Sequence, residues 1–481
     1  MTEAAQEAFS GTGGPGTARP QGGTFSGRAH DKLHDAKVQR AMRNFNLAAA
    51  RSRAMAELPE LEDIRTAAAA IRDTALADLD VWLERFETEA TRRGVKVHWA
   101  ETHADVNRIV AAIAREAGVR KVIKSKSMVS EESHLNAALE AEGLEVVETD
   151  LGEYIIQLAG ETPSHIIAPA IHKTREDVAD LFHQHHGTPR KTGIPELTME
   201  ARAVLRGHFL SGDMGISGGN FLVAETGSVV LVTNEGNGRM VSTMPRVHVA
   251  ITGIEKVIPT LEDVACVLRV LTRSATGQSI SNYVTLATGP KGAGDADGPE
   301  EMHVVLVDAG RSTVLGSDMR EALRCIRCGA CMNHCPVYQN IGGHAYGWVY
   351  PGPIGSVLTP SYIGLENAVD LPNAATLCNQ CGVVCPVRIP LPDLMRKLRE
   401  KQVEAGLRPR WERAGLRVWS WFAQRPALYA LATRLAARVG RLLGGKRRAI
   451  GRLPGGGWTG ERDFPAPQGR TFRELYARRP R

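Results

Sequence analysis

Seven of the chain's eight cysteines fall between residues 325 and 385, at spacings suited to holding metal. Cys325, Cys328, Cys331 and Cys335 form C-x2-C-x2-C-x3-C followed by Pro336, the run by which bacterial ferredoxins wrap a cubane iron–sulfur cluster. Cys378, Cys381 and Cys385 form C-x2-C-x3-C, again followed by a proline, Pro386. Thiolates are soft ligands that select iron–sulfur clusters or zinc. Zinc takes four ligands, usually as two CxxC pairs, whereas two proline-terminated runs in series call for iron. In two-cluster proteins of this kind the fourth cysteine of a run ligates the other cluster. Cys335 is therefore expected to cross to a second cluster and Cys385 to cross back to the first.

Counting ligands on that basis gives the first cluster Cys325, Cys328, Cys331 and Cys385, a complete set. The second keeps only Cys335, Cys378 and Cys381, because Ala375 stands where its run would begin with cysteine. Such a site either carries three irons, as 3Fe–4S, or has a fourth iron ligated by something else: water, a side chain such as His334 or Asn379, a partner protein or a substrate. Gly329 and Gly382 follow cysteines where backbone N–H groups must approach cluster sulfur, which glycine permits. Cys266, in LEDVACVLRVL, reads as a small buried apolar residue.

The elements that must position these thiols are spread over more than one domain, since 481 residues exceed a single ordinary core. The cysteines are for metal and show no disulfide framework, which places the chain in a reducing, cytoplasmic interior. Residues 1–28 are rich in Gly, Pro and Ser, lack a secretory signal and are expected to be disordered. Residues 29–92 read as two or three helices. Residues 93–315 alternate strand and helix, with VKVHWA, VRKVIKSKS, LEVVETD, SHIIAPA, FLVAETGSVVLVT, VHVAITGIEKVI and HVVLVDAGR as strands, which indicates a multidomain α/β protein with a largely parallel, layered sheet. SEESHLNAALEAEG reads as one helix. Residues 316–400 hold the cysteines, with an intervening stretch rich in Gly, Pro and aromatics that suggests a helical cluster domain. No run of 18 apolar residues suggests a membrane span.

Residues 401–481 hold 19 Lys+Arg against 5 Asp+Glu, a net of +14, while the rest of the chain is at −8. A basic tail of this kind suits an acidic partner surface. Its Arg, Trp and Leu interleave at helical spacing in AGLRVWSWFAQRPALYALATRLAARVGRLLGGKRR, which fits a peripheral seat at the inner face of a membrane or a helical pair docked on protein. Nucleic acid is the least favoured partner. In the α/β region, polar residues gather at strand ends, where open α/β sheets bind ligands. Lys126, Glu225 and Arg239 are the candidates for a carboxylate pocket, against the simpler readings of solvated lysine, hairpin tip and Asn-Gly turn. His165, His172, His183, His185 and His186 lack the carboxylates or spacing of a metal site and read as a polar helix end. No dinucleotide-binding or P-loop glycine motif occurs, and no catalytic residue is identified.

KSKSMVSEE, ETDLGEYIIQL, SHIIAPAIHKTR, AETGS, TNEGNGRM, RSATGQ, DGPEE and the CIRCGAC…GGHAYGWVYPGPIG block together resemble the lactate utilization protein B family, from about Phe25 to Leu398. The resemblance implies a lactate-utilization domain, related in fold to sugar-phosphate isomerases and CoA transferases, followed by a helical ferredoxin-type domain and a C-terminal extension. It also implies two 4Fe–4S clusters with the crossed, seven-cysteine ligand pattern, in an electron-transfer subunit of a cytoplasmic system that oxidises L-lactate to pyruvate. Companion subunits are implied with it: an iron–sulfur or cysteine-rich subunit and a second protein with a lactate-utilization domain. The alternative is an isomerase- or CoA-transferase-like enzyme whose clusters stabilise the fold or sense redox state.

Overall fold

A computed structural model describes residues 25–44, 47–453, 459 and 462–479. Most of the N-terminal stretch read as disordered, residues 1–24, lies outside the described residues. The remainder of that stretch differs from the reading: the helix Phe25–His34 starts inside it. Long-range contacts hold this helix, with the Phe25 ring 5.4 Å from that of Tyr346 and Arg28 Nε donating to Ala345 O at 3.0 Å. Four more helices follow, Ala36–Asn44, Leu47–Ala56, Leu61–Ala77 and Leu79–Arg92.

The central layer is a six-stranded sheet. Its strands are β1 (Lys96–Ala100), β2 (Lys121–Lys124), β3 (Glu145–Glu148), β4 (Met214–Ser217), β7 (Val247–Gly253) and β10 (Glu301–Val307), in the order β1-β10-β7-β4-β2-β3. Every pairing is parallel, and β4 and β7 are buried along their whole length, as strands covered on both faces must be. From β2 the chain adds β3 on one side and β4 on the other. That reversal opens a crevice beyond the carboxyl ends of β2 and β4. A smaller sheet, ordered β8 (Val257–Ile258), β5 (Phe221–Val223), β6 (Ser228–Thr233), β9 (Tyr283–Ala287), packs beside it.

Five elements differ from the sequence reading, each for a local reason. SHIIAPA is a turn segment, because the His165 ring takes up the Ile167 and Ala168 N–H groups that a strand would offer a neighbour. The helix over residues 130–143 is two, Met128–Glu132 and Leu135–Ala141, broken at His134 with φ 54°. VHVAITGIEKVI splits at Ile254–Lys256, which passes the chain from the large sheet to the small one. The strands β4 and β9 were not read at all; β4 has four residues, and β9 leaves Tyr283, Val284 and Leu286 exposed.

One apolar core runs from the helices Leu61–Ala77 and Leu261–Thr276 through to the cysteine runs, so the α/β layer and the cysteine region share it. Buried histidines tie these parts together. His165 Nδ1 accepts from Ile167 N (2.9 Å) and Ala168 N (3.1 Å), which leaves Nε2–H to donate to Asn333 Oδ1 at 3.0 Å. His248 Nε2 bonds Ser217 Oγ at 2.8 Å between β7 and β4. Burial pulls both rings down to about 4. The folded state thus resists a proton that the unfolded chain takes up near 6.5. Their contribution is complete above pH 6.5 and is lost as pH falls toward 4, at about 1.4 kcal/mol per pH unit for each histidine. Denaturant midpoints measured from pH 7 to pH 4 should fall steeply, and less steeply in His248→Gln.

Residues from Gln402 onward form a separate compact unit. It comprises the helices Arg410–Ala423 and Pro426–Gly444, a two-residue strand pair, Ala449–Ile450 with Phe464–Pro465, and the helix Phe472–Ala477.

Candidate iron–sulfur centre and adjoining cavity

The two cysteine runs follow the same backbone path. Cys328 lies between Arg327 (φ 58°) and Gly329 (φ 72°), and Cys378 lies between Leu377 (φ 55°) and Asn379 (φ 65°). Each run then enters a short helix, Ala330–Asn333 or Gln380–Val384. Left-handed residues on both sides of a cysteine curl the chain around its sulfur. The counterpart of Gly329 is thus Asn379, one of the few non-glycine types at home in that region. Gly382 gives its N–H to the Cys381 thiol, the close approach its position suggested, and a Cβ there would lie 2.7 Å from Asn379 Oδ1. Asn379 folds back over it.

The thiols form two groups that can be recognised by their mutual electrostatics. Burial pushes the Cys328 and Cys331 thiols far up; Cys385 and Cys325 add to the first shift, and Cys325, Cys328 and Cys385 to the second. Burial brings Cys385 to about 11, with Cys325 adding to it. Cys335 is likewise raised by burial and then by Cys378, and Cys381 reaches about 12 through burial, Cys335 and Cys378. The groups are Cys325, Cys328, Cys331 and Cys385 on one side and Cys335, Cys378 and Cys381 on the other. They approach each other at Cys331 and Cys381.

This donor chemistry fits iron–sulfur clusters. Thiols crowded in this way repel one another once ionised, unless a cationic centre neutralises them. Backbone N–H groups point at the sulfurs, Arg327 N to Cys325 Sγ at 3.4 Å and Ile389 N to Cys385 Sγ at 3.3 Å, an arrangement that tunes cluster potential. Among the described residues no three His, Cys, Asp or Glu side chains converge on a single-ion site. Cys266 is half-buried on the helix Leu261–Thr276, away from both groups.

The two groups differ in exposure. The first group has Cys325, Cys328 and Cys385 buried and Cys331 half-buried; in the second, Cys335 and Cys381 are buried too, but Cys378 is exposed together with Thr376, Leu377, Asn379 and Gln380. The Gln380 N–H and Thr376 hydroxyl hold the Cys378 thiol below its ordinary value. Ala375 gives its carbonyl to Arg399 at 3.0 Å. His334 turns Nδ1 to Ala330 O at 2.9 Å and has Arg51 as its charged neighbour. Ala375 itself is half-buried against the core, and the exposed edge of the second group runs from Thr376 to Gln380.

Basic side chains surround the first group, and burial pulls the Lys256 amine among them down to about 7. Lys256 Nζ donates to Cys325 O at 2.7 Å, Arg65 to Cys385 O at 2.8 Å and Arg51 to Val384 O at 2.9 Å. Arg72, fully buried, donates to Leu323 O at 3.1 Å. Behind them a buried network joins sheet to cysteine loop. Arg311 links Glu132 (2.7 Å) to Glu255 (2.8 Å), and Glu255 reaches Arg327 at 3.4 Å, whose guanidinium lies over the Tyr350 ring. Tyr350 donates to Glu132.

Against this wall lies a cavity of about 240 Å³. Ser125, Lys126 and Ser127 line it from the end of β2, Gly218, Gly219 and Asn220 from the end of β4, and Arg327, Cys328 and Tyr350 from the cysteine region. It fills the crevice where the strand order reverses. Asn237, 4% exposed, also lines it, and its Oδ1 has no hydrogen-bond partner. Of the three residues proposed from sequence, only Lys126 is here, with Nζ donating to Ile167 O at 2.6 Å. Glu225 instead accepts from Leu261 N at 3.0 Å, capping a helix, and Arg239 is exposed on the helix Asn237–Thr243. Sequence reasoning missed Glu255, Lys256, Arg327 and Tyr350; Arg327, placed between two cysteines, carried the one signal that could have drawn notice. A wider cavity of about 550 Å³, lined by Glu161, His172, His344 and Trp348 among others, includes no cysteine.

Comparison with known proteins agrees with this division. The model of the LUD domain matches residues 83–307, that of the 4Fe-4S dicluster domain residues 321–389, and that of the lactate utilisation protein B C-terminal region residues 395–481. Lactate utilization protein B of Bacillus licheniformis is 42% identical over 94% of this chain and 96% of its own length. That of Shouchella clausii is 44% identical over 95% and 97%. The Escherichia coli protein named uncharacterized electron transport protein YkgF is 42% identical over 94% and 96%. A DUF162 family crystal structure from Deinococcus radiodurans, 15% identical, covers 48% of this chain and 98% of its own, with a TM-score of 0.28, too loose a match to carry argument.

Proposed function

Because the chain belongs to the lactate utilization protein B family, we propose that it is an iron–sulfur electron-transfer subunit of a cytoplasmic multicomponent system that oxidises L-lactate to pyruvate. The observation that carries this reading is the placement of the cavity: Arg327 and Cys328 of the first thiol group form its wall, while Cys378 of the second group is exposed. Electrons enter beside the α/β layer and leave at the surface. Two 4Fe–4S clusters, when bound, supply one-electron transfer in series, and the oxidation of each lactate releases two electrons. The chain's own residues hold and bias this path. Arg65 and Arg51 place positive charge around the first group, which favours its reduction, and the exposed Cys378 opens the second group to water or a companion subunit as the fourth ligand of its cluster.

The test is anaerobic titration of the chain with L-lactate, alone and with the companion subunits, followed by electron paramagnetic resonance and pyruvate assay. Clusters should reduce with lactate only when the companions are present, and Cys328→Ser should abolish pyruvate formation. Cluster oxidation state that stayed indifferent to lactate in the full system would sink the reading.

One observation favours the alternative, an enzyme of isomerase or CoA-transferase type. Lys124 and Glu148 pair in full burial at the ends of β2 and β3, and burial together with Glu148 raises the Glu153 carboxyl well above its ordinary value. Glu148 and Glu153 each keep an oxygen without a partner. A neutral carboxyl beside an ion pair can do acid–base work. Turnover of a sugar phosphate or CoA ester by the chain alone, unaffected by cluster reduction, would select this reading.

A further inference from the structure

The helix Pro426–Gly444 spends one face on its own unit. Small residues make that contact: a Cβ on Gly444 would lie 2.2 Å from Ala466 Cβ, and one on Gly440 would lie 2.9 Å from Pro467. Ala437, on the same side, is buried, and Ala466 N donates to Arg448 O at 2.9 Å to hold the returning segment in place. The opposite face is left bare. Leu428, Leu431, Leu435, Val439 and Leu442 recur at steps of three and four residues, and at the helical turn angle they fall within an arc of about 80°. Leu431 is 63% exposed, Leu435 61% and Leu442 79%. Such a stripe is too long and continuous to be incidental surface leucine.

The chemistry beside the stripe identifies its occupant. Arg434, Arg438 and Arg441 run along one flank of it, and long arginine stems can lie over apolar surface while their heads stay in water. The preceding helix, Arg410–Ala423, exposes Trp411, Trp419 and Trp421, with Arg425 over the Trp421 ring at 4.1 Å. A leucine row flanked by arginine, with exposed tryptophans on the preceding helix, is the composition of helices lying in a bilayer interface. The stripe is a straight row of aliphatics, which a fluid surface accepts without a matching pocket. The net charge of +14 over residues 401–481 is spread over the unit and suits a field of anionic headgroups better than a single acidic site. None of the described helices is long and apolar enough to cross a membrane.

We propose that the C-terminal unit seats the protein on anionic phospholipid through the Leu428–Leu442 stripe, lying in the interface plane. The test uses the full chain, iron-loaded, with vesicles of phosphatidylcholine with and without phosphatidylglycerol. Wild type should co-sediment with the phosphatidylglycerol vesicles, and the double substitution Leu431→Glu, Leu435→Glu should lower its partition at least about tenfold at unchanged iron content and helicity. Brominated lipid should quench tryptophan in the wild type, which reads insertion without any variant. Absence of co-sedimentation and quenching would overturn the proposal, as would binding that survives loss of both leucines. A fall in oligomeric mass in the leucine variant, with no lipid binding by either protein, would assign the face to a protein contact instead.

Discussion

Replacing Cys385 with alanine is expected to empty the first cluster, although Cys385 lies in the second run. The expectation rests on where the folded chain takes this thiol. Cys328 and Cys331 are both raised by Cys385, and Cys385 by Cys325, whereas Cys335 and Cys381 respond to Cys378. Arg65 holds the Cys385 carbonyl at 2.8 Å and Ile389 N reaches its sulfur at 3.3 Å, so the thiol is aimed by contacts that survive its neighbours' loss. Iron per chain should fall by about half, and the reduced protein should keep only the signal of the second cluster. Cys335→Ala is the mirror experiment and should remove that signal while sparing the first. If Cys385→Ala and Cys378→Ala instead left identical spectra, each run would be serving its own cluster and the crossed scheme would be wrong.

How much of this was readable in sequence depends on the range over which each feature is built. The cysteine runs are local: a few residues of fixed spacing decide how sulfurs can be presented, so spacing alone names them. The backbone needed to present them is local too. Glycine after a cysteine suggested close approach at Gly382, and its N–H does bond the Cys381 thiol; what spacing did not show is that Asn379 takes the left-handed position that matches Gly329, with Gly382 making room for it. The cavity is the opposite case. Its walls come from the ends of β2, β4, β6 and β7 and the cysteine loop, brought together by a strand order that no local pattern announces, which is why Lys126 was found and Glu255, Lys256 and Tyr350 were not. Glu225 and Arg239 were chosen because polar residues near a Gly turn resemble a binding loop, and a helix cap has the same composition. Short strands were lost for a related reason, since four residues such as Met214–Ser217 carry too little periodicity to register.

Arg311→Met should be the most destabilising single change in the network that couples sheet to cysteine loop. Arg311 has no exposed side-chain surface, and neither Glu132 nor Glu255 has more than 1%. Methionine fills the volume but leaves two buried carboxylates without their shared cation, a loss worth about 3–5 kcal/mol when one partner of a buried pair is removed. The effect should exceed that of cutting the exposed pair Arg115–Glu142, which contributes at most about 1 kcal/mol. The pH dependence supplies a second readout. Burial works against ionised Glu132, but Arg311, with His103 and Tyr350, holds it at about 2. A carboxyl lowered in this way gives stability that is present above its unfolded value of 4.5 and lost as pH falls toward 2. Without Arg311, burial, the largest influence on Glu132, outweighs the remaining pull of His103 and Tyr350 and raises the carboxyl instead, so acidification from pH 7 to pH 5 should stabilise the variant relative to wild type. Urea unfolding of both proteins at those two pH values tests magnitude and sign together. A variant within about 1 kcal/mol of wild type at pH 7, or one that weakens in parallel with it on acidification, would show that the carboxylates find other partners and that Arg311 does not hold the two regions together.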